Sequence, residues 1–111
     1  MIVTETHGAV DVLAIKGPLN RESREQLAEQ IELVAPGTVP QIVLDLTEVP
    51  LVDSEGLEVL LDARDAVRRR GGVIKLADAP ALTAEILRAT GVGDYFESFA
   101  DLRAAMGSYS R

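Results

Sequence analysis

The stretch IVLDLTEVPLVDSEGLEVLL, residues 42–61, contains the two patterns that decide the fold. It begins with the short apolar run IVLDL, which is typical of a strand buried in a parallel sheet. From Leu57 onward, apolar residues recur at helical spacing, which places Leu57, Leu60, Leu61 and Val67 on one face of a helix. The stretch therefore predicts a buried strand followed by a helix whose apolar face packs against the sheet.

Three polar residues and a glycine, Asp53-Ser54-Glu55-Gly56, lie where the strand gives way to the helix. A helix start needs one cap, which Asp53 or Ser54 can supply, and Glu55 and Glu58 can complement its positive end. Gly56 falls in the first turn, where it costs up to ~1 kcal/mol relative to alanine, and such a glycine often marks a close approach to the backbone. If Asp53 is the cap, the Ser54 hydroxyl is free to face outward. These residues alone leave a structural and a functional interpretation open.

Away from this unit, the chain continues to alternate strands with helices. The alternation predicts an α/β fold with parallel neighbouring strands and right-handed crossovers. We therefore expect a small mixed sheet of four to five strands with about four helices packed on it, and residues 42–46 and 73–77 as neighbouring parallel strands. The expected strands cover residues 2–6, 10–16, 42–46, 73–77 and, briefly at an edge, 95–96.

Capping residues predict the other three helices. Asn20 is a good N-cap for a helix that runs to about Ala35. Asp78 can cap another helix, with Leu82 in its apolar stripe, and Ser98 can cap a short last one. These helices fall between successive strands or after the last of them, as the alternating pattern requires.

Length and composition limit the class of protein. A chain of 111 residues that is 47% hydrophobic can form one domain with a real core, which we place at residues 1–107, with residues 108–111 as a frayed tail. No apolar run reaches the roughly 20 residues of a membrane span, and the first residues do not resemble a signal peptide. The sequence has no cysteine, which agrees with a cytoplasmic protein.

Charge and residue types argue against several kinds of site. A formal net charge of -7 makes the chain a poor ligand for nucleic acid and for anionic membranes. His7 is the only histidine and is expected in a solvated turn, without partners for metal binding or catalysis. Gly71 and Gly72 precede a strand and lack dinucleotide-binding spacing, and the three arginines before them suit the negative end of a helix. We therefore expect no catalytic residue, no metal and no cofactor.

Residues 42–61 resemble the core of the STAS domain, the module shared by anti-sigma factor antagonists and the tails of sulphate transporters. The family pattern is a strand with Asp-Leu, a short apolar loop, and Asp-Ser/Thr-Ser/Thr-Gly-Leu opening a helix. The segments LAIKGPLNRESREQLAEQI and GGVIKLADAPALTAEILRATGVGDYFESFADLRAAM resemble the parts of the domain before and after it. The resemblance extends over nearly the whole chain, and the order of its pieces is its most specific feature.

The resemblance implies a regulatory binding protein without catalysis of its own. In bacterial antagonists of this family, the Ser or Thr after the motif Asp is phosphorylated by a partner that is both a serine kinase and the anti-sigma factor. That position is Ser54 here, and we expect its phosphorylation to switch binding off. Under this hypothesis Gly56 keeps the backbone low so that a kinase reaches the hydroxyl. The expected partner-binding residues are Asn20, Asp53, Ser54, Glu55, Gly56, Leu57 and Glu58.

Three positions depart from the family pattern. Glu55 replaces the usual second Ser/Thr, Glu58 replaces a frequent glycine, and Asn20 stands where an acidic residue is common. These departures leave the expected fold intact, but they weaken the argument for a switch operated by this class of kinase. An alternative is therefore a STAS subunit of a larger complex, such as a lipid-transport ATPase or a stress-signalling assembly, without phosphorylation. An enzyme or ligand carrier using Asp53 and Ser54 is a third hypothesis, which lacks a general base near the motif.

Overall fold

The protein is described by a computed structural model, which covers residues 1–110. Five strands form one sheet in the order β1-β2-β3-β4-β5, with β1 antiparallel to β2 and every other neighbouring pair parallel. The expected mixed sheet, four helices and order of elements are confirmed, and β3 and β4 are parallel neighbours as predicted. The strands are β1 (Ile2–His7), β2 (Val10–Lys16), β3 (Gln41–Glu48), β4 (Val73–Ala77) and β5 (Glu97–Phe99).

Helices cover both faces of the sheet, three on one face and one on the other. Three of them pack with the larger apolar core on one face, and the fourth covers a smaller cluster on the other. No helix within residues 1–110 combines the length and the apolar character that crossing a membrane would require. The helices are α1 (Ser23–Leu33), α2 (Ser54–Arg69), α3 (Ala81–Thr90) and α4 (Leu102–Gly107), and short 3-10 helices cover Val92–Tyr95 and Ser108–Ser110.

The predicted apolar face of α2 is confirmed. Leu60 and Val67 are fully buried, and Leu57 and Leu61 are half-buried against the same core. On α3, by contrast, Leu82 is 55% exposed, and Thr83 takes the buried position instead. Thr83 can be buried because its hydroxyl donates to the carbonyl of Val49 at 2.6 Å. The loop that leads to α2 is thereby tied to the first turn of α3.

Asn20 and Asp78 do not cap the helices that they were predicted to cap. Asn20 does not cap α1, because a turn intervenes; its Oδ1 accepts from the Glu22 N–H at 3.0 Å, and α1 begins at Ser23 without a side-chain cap. Asp78 does not cap α3 either. Its backbone adopts a left-handed φ of 58°, and its Oδ2 accepts from the Leu102 N–H at 2.8 Å, so it binds the start of α4.

The region before α4 also differs from the prediction. Gly91 ends α3 in a left-handed conformation with a φ of 79°, and the chain continues as a 3-10 helix through Tyr95. The edge strand is therefore β5 at residues 97–99, two residues later than expected. Ser98 lies within that strand, and Asp101 caps α4 by accepting from the Ala104 N–H at 2.7 Å.

Ser108 and Tyr109 pack against the sheet, although we expected a frayed tail from residue 108. The Tyr109 hydroxyl lies 2.8 Å from the Ile42 carbonyl and 2.9 Å from that of Val73, and burial raises the pKa of this hydroxyl. The Nζ of Lys75, which is 7% exposed, donates to the Ser108 Oγ at 2.6 Å and lies 4.1 Å from the centre of the Tyr109 ring. The tail thus covers a lysine in the middle of the sheet. Arg111 lies outside the described residues.

The end of α2 stabilises the end of α1. Arg68 and Arg69 lie in the last turn of α2 as expected, and Gly71 follows with a left-handed φ of 77°. Arg70 turns to α1 instead, and its guanidinium donates to the carbonyls of residues 31, 34 and 35 at 2.8–2.9 Å. The carbonyls of Ile31 and Val34 have no N–H partner within α1 itself, so the arginine completes the end of a neighbouring helix, while the Ala35 carbonyl also accepts from the Thr38 N–H.

Candidate functional site

Asp53 and Ser54 have different roles at the start of α2. The Oδ1 of Asp53 accepts from the Gly56 N–H at 2.8 Å, so Asp53 is the N-cap. Ser54 is the first residue of the helix, and its side chain is exposed. Because the cap is already supplied, the Ser54 hydroxyl is not needed to hold the helix start. This arrangement leaves a nucleophilic oxygen accessible beside a helix N-terminus.

Gly56 is required by the interior of the protein. A Cβ built on this residue would lie 2.1 Å from the carbonyl oxygen of Leu19 and 2.8 Å from the Val52 Cγ2. The same Leu19 carbonyl accepts from the Asp53 N–H at 3.2 Å, so the loop before α1 touches the start of α2 closely. The close approach inferred from the sequence is therefore real, but the approaching backbone is Leu19 of this chain and not a kinase.

The expected partner-binding residues divide into an exposed and a covered set. Gly56 is buried and Leu57 is half-buried against the core, so neither offers much surface to a partner. A shallow depression brings Asn20 into the same surface as the exposed residues at the helix start. We call this surface the switch face, and it consists of the exposed residues Asp53, Ser54, Glu55 and Glu58 together with the half-buried Asn20.

Both unusual glutamates face arginines that the sequence analysis did not single out. The Glu55 carboxylate lies 3.7 Å from the Nε of Arg21, and the Glu58 carboxylate lies 3.9 Å from a guanidinium nitrogen of Arg24. Arg24 also pairs with Asp62. Arg21 and Arg24 are three residues apart, as are Glu55 and Glu58, and this matched spacing was the available sequence clue. The switch face is consequently less acidic than its carboxylates alone suggest.

Other candidate residues remain outside this surface. His7 is exposed at the end of β1, with its Nε2 3.6 Å from the Glu5 carboxylate. Residues 1–110 contain no group of three or more His, Cys, Asp or Glu side chains that could hold a metal ion. The candidate site is therefore the switch face itself, with the exposed Ser54 side chain at the start of α2.

A sequence comparison links the chain to one family. The profile described as "Mlab, STAS domain" matches residues 2–103. No protein of curated function matches the sequence at a significant level.

Solved structures share the fold at low sequence identity. A Thermotoga maritima protein, proposed to be an anti-sigma factor antagonist, superposes with a TM-score of 0.85 at 20% identity, covering 99% of this chain and 95% of its own. An anti-sigma factor antagonist from Mycobacterium paratuberculosis gives 0.83 at 22% identity, covering 100% and 94%. A sulfate transporter family protein from Wolinella succinogenes gives 0.81 at 17% identity, covering 94% and 87%.

Proposed function

The chain belongs to the STAS domain family, and from this premise we propose that it is an anti-sigma factor antagonist. It binds an anti-sigma factor that is also a serine kinase, through the switch face, and phosphorylation of Ser54 releases that partner. The observation that carries this proposal is the exposed Ser54 hydroxyl beside an independent cap at Asp53. The chain acts by binding, without catalysis of its own, and we place it in the cytoplasm with its partner.

A phosphate on Ser54 is compatible with the folded domain. Free N–H groups and the helix dipole at the start of α2 favour an anion, so modification does not require the helix to unfold. The phosphate adds about -1.5 to -2 charges to a surface that already carries Asp53 and Glu55. Repulsion and steric bulk then act on the bound partner, while the fold remains unchanged.

Binding and phosphate mapping test the proposal together. The first measurement incubates the protein with ATP and candidate kinases and locates phosphate by mass spectrometry. Titration calorimetry then compares partner binding by the unmodified protein, Ser54→Ala and Ser54→Asp. Ser54→Ala should bind constitutively because it keeps the shape and cannot accept phosphate, and Ser54→Asp should bind more weakly. Ser54→Ala losing affinity while still folded would contradict a switch at this hydroxyl.

Glu55 offers a second test of the same surface. In Glu55→Ser, the residue beside Ser54 becomes neutral and Arg21 loses its partner. If the kinase contacts this surface through acidic groups, binding should strengthen; if it uses a basic contact to Glu55, binding should weaken, and that loss should shrink at high salt. No change at either salt concentration, together with no phosphate found on Ser54, would reject the antagonist proposal.

The pairing of Glu55 with Arg21 and of Glu58 with Arg24 favours a second candidate function. At positions where the family pattern has Ser/Thr and Gly, this chain has ion pairs that join α2 to α1 and the turn before it. Such a surface suits a STAS subunit held permanently in a larger assembly, for example a lipid-transport ATPase or a stress-signalling complex. Co-purification of the unphosphorylated chain with a stable complex, unaffected by Ser54→Asp, would support this function over the first.

A further inference from the structure

A cavity at the opposite end of the sheet from Ser54 contains a buried carboxylate. The cavity, of about 350 Å³, lies between the β1–β2 hairpin and the end of α1 with the loop that follows. It lies near the beginning of β3, because Asp11 pairs with Ile42, whereas α2 follows the other end of that strand. Asp11 retains only 6% of its exposure. This site goes beyond the proposed function, because it shares no residue with the switch face.

Only one oxygen of the Asp11 carboxylate is used within the protein. Oδ1 accepts from the Thr6 hydroxyl at 2.6 Å, which closes the hairpin. None of the ion pairs among residues 1–110 includes this carboxylate. No fully buried side-chain oxygen in the same residues lacks a hydrogen bond, so Oδ2 keeps some exposure, and Asp11 lines the cavity. A largely buried carboxylate without a cation is costly, and a bound cation would remove that cost.

The hydroxyl groups of the cavity present acceptors to a ligand. The Thr6 hydroxyl donates to Asp11, the Thr4 hydroxyl donates to the Gln30 Oε1 at 2.8 Å, and the Thr38 hydroxyl donates to a backbone carbonyl at 3.2 Å. Each hydroxyl therefore has its single hydrogen engaged and its lone pairs free. With the three hydroxyl hydrogens engaged, the Gln30 amide nitrogen is the one side-chain donor left in the lining, which contains neither Lys nor Arg. The matching ligand is rich in donors and carries a positive charge.

The remaining wall of the cavity is apolar. It is formed by Ala9, Leu33, Val34 and Pro36 together with the backbone of Gly8. We propose that the cavity binds a small organic cation, a primary ammonium group on a short alkyl chain, with Asp11 as its counter-ion. The three N–H donors of the ammonium group face Oδ2 and the hydroxyl oxygens, and the chain lies along the apolar wall.

Amide chemical shifts test this proposal without any partner protein. The protein is titrated with n-butylammonium chloride, with n-butanol as a neutral ligand of similar shape, and with potassium chloride. We expect saturable shifts for residues 6–11 and 30–38 with the ammonium ion, and at least about tenfold weaker binding of the alcohol. Equal binding of the alcohol, saturation by potassium alone, or no saturable shift in these segments would overturn the proposal.

Matched variants assign the binding to Asp11. Asp11→Asn keeps an acceptor for Thr6 and should weaken ammonium binding at least about tenfold, whereas Asp45→Asn, with the same loss of charge, should not. Leu33→Arg adds a cation at the cavity wall and should also weaken binding, and Leu82→Arg is its control. Both leucines are exposed, at 64% and 55%, so this second pair tests the site even if Asp11→Asn fails to fold. Undiminished binding in Asp11→Asn or in Leu33→Arg would overturn the assignment.

Discussion

Helices α1 and α2 pack on the same face of the sheet, but their ends are stabilised in different ways. The start of α2 is capped by Asp53, and Gly71 follows its end in a left-handed conformation, so residues adjacent in sequence complete both ends. The start of α1 at Ser23 has no side-chain cap, and the carbonyls at its end are bound by Arg70, which follows α2. The dependence runs one way, because α1 relies on α2 for its last turn.

This difference predicts how far the destabilising effect of a substitution extends beyond the substituted helix. A change that loosens α2 should affect the whole core and remove the support of α1 as well. A change at the contact between Arg70 and α1 should remain local, because α2 has its own caps. The following four substitutions examine that asymmetry.

Leu60→Ala should have the largest effect. Leu60 is fully buried between α2 and the sheet, and truncation of such a leucine costs about 2–5 kcal/mol of unfolding free energy. Denaturation followed by circular dichroism should show one cooperative transition at lower denaturant. Leu82→Ala, at an exposed leucine, should remain within about 0.5 kcal/mol of the parent. Two separate transitions would show that α1 folds without α2.

Gly56→Ala should cost about 3 kcal/mol, near the upper end for overpacking. The new methyl carbon would lie 2.1 Å from a backbone oxygen of Leu19, which has no flexible side chain to move away. The matched control is Gly107→Ala in α4, where a Cβ meets no atom within 4 Å and stability should be unchanged or slightly higher. Equal stability of both variants would contradict the contact between α2 and the loop before α1.

Arg70→Met should cost about 1–2 kcal/mol and act mainly on α1. The methionine keeps an apolar stem but removes the donors to the carbonyls of residues 31, 34 and 35. Hydrogen exchange should show faster amide exchange in the last turn of α1, with α2 little changed. Arg69→Met, at an exposed position, is the control. Equal loss of protection in both helices would contradict the one-way dependence.

Arg24→Gln should have the smallest effect, at most about 1 kcal/mol, because its ion pairs with Glu58 and Asp62 are exposed. The difference from the parent should decrease as salt is raised, since exposed charges are screened. Arg103→Gln, on the other face of the sheet, serves as the control. An effect of Arg24→Gln that is independent of salt would mean that the side chain acts through packing instead.

The sequence predicted those parts of the fold that depend on neighbouring residues. The apolar run of β3, a cap at Asp53 or Ser54 and the helical spacing from Leu57 are local patterns, and all three are present in the structure, where Asp53 is the cap. Asp78 was misassigned because its carboxylate binds the N–H of Leu102, 24 residues later. Single-sequence patterns do not show such a distant pairing, and a helix cap three residues away is the commoner arrangement.

At the candidate site, too, the sequence predicted local features but not contacts between distant segments. The sequence allowed a cap at Asp53 or Ser54, with an exposed Ser54 hydroxyl if Asp53 is the cap, and the structure has Asp53 as the cap. The pairing of Glu55 with Arg21 joins segments that are 34 residues apart, so it became evident only when the fold placed them together. Gly56 was correctly associated with a close approach, but the approaching group could not be identified without the position of Leu19.

Lys75, in the middle of β4, affects the order in which the two faces of the sheet can fold during synthesis. Its hydrogen-bond partner Ser108 lies 33 residues further along the chain, so β4 leaves the ribosome well before the residues that cover Lys75. Until they arrive, the ammonium group keeps its hydration and opposes burial of that face. We therefore expect vectorial folding to begin on the face of α1 and α2 and to finish on the face of α4.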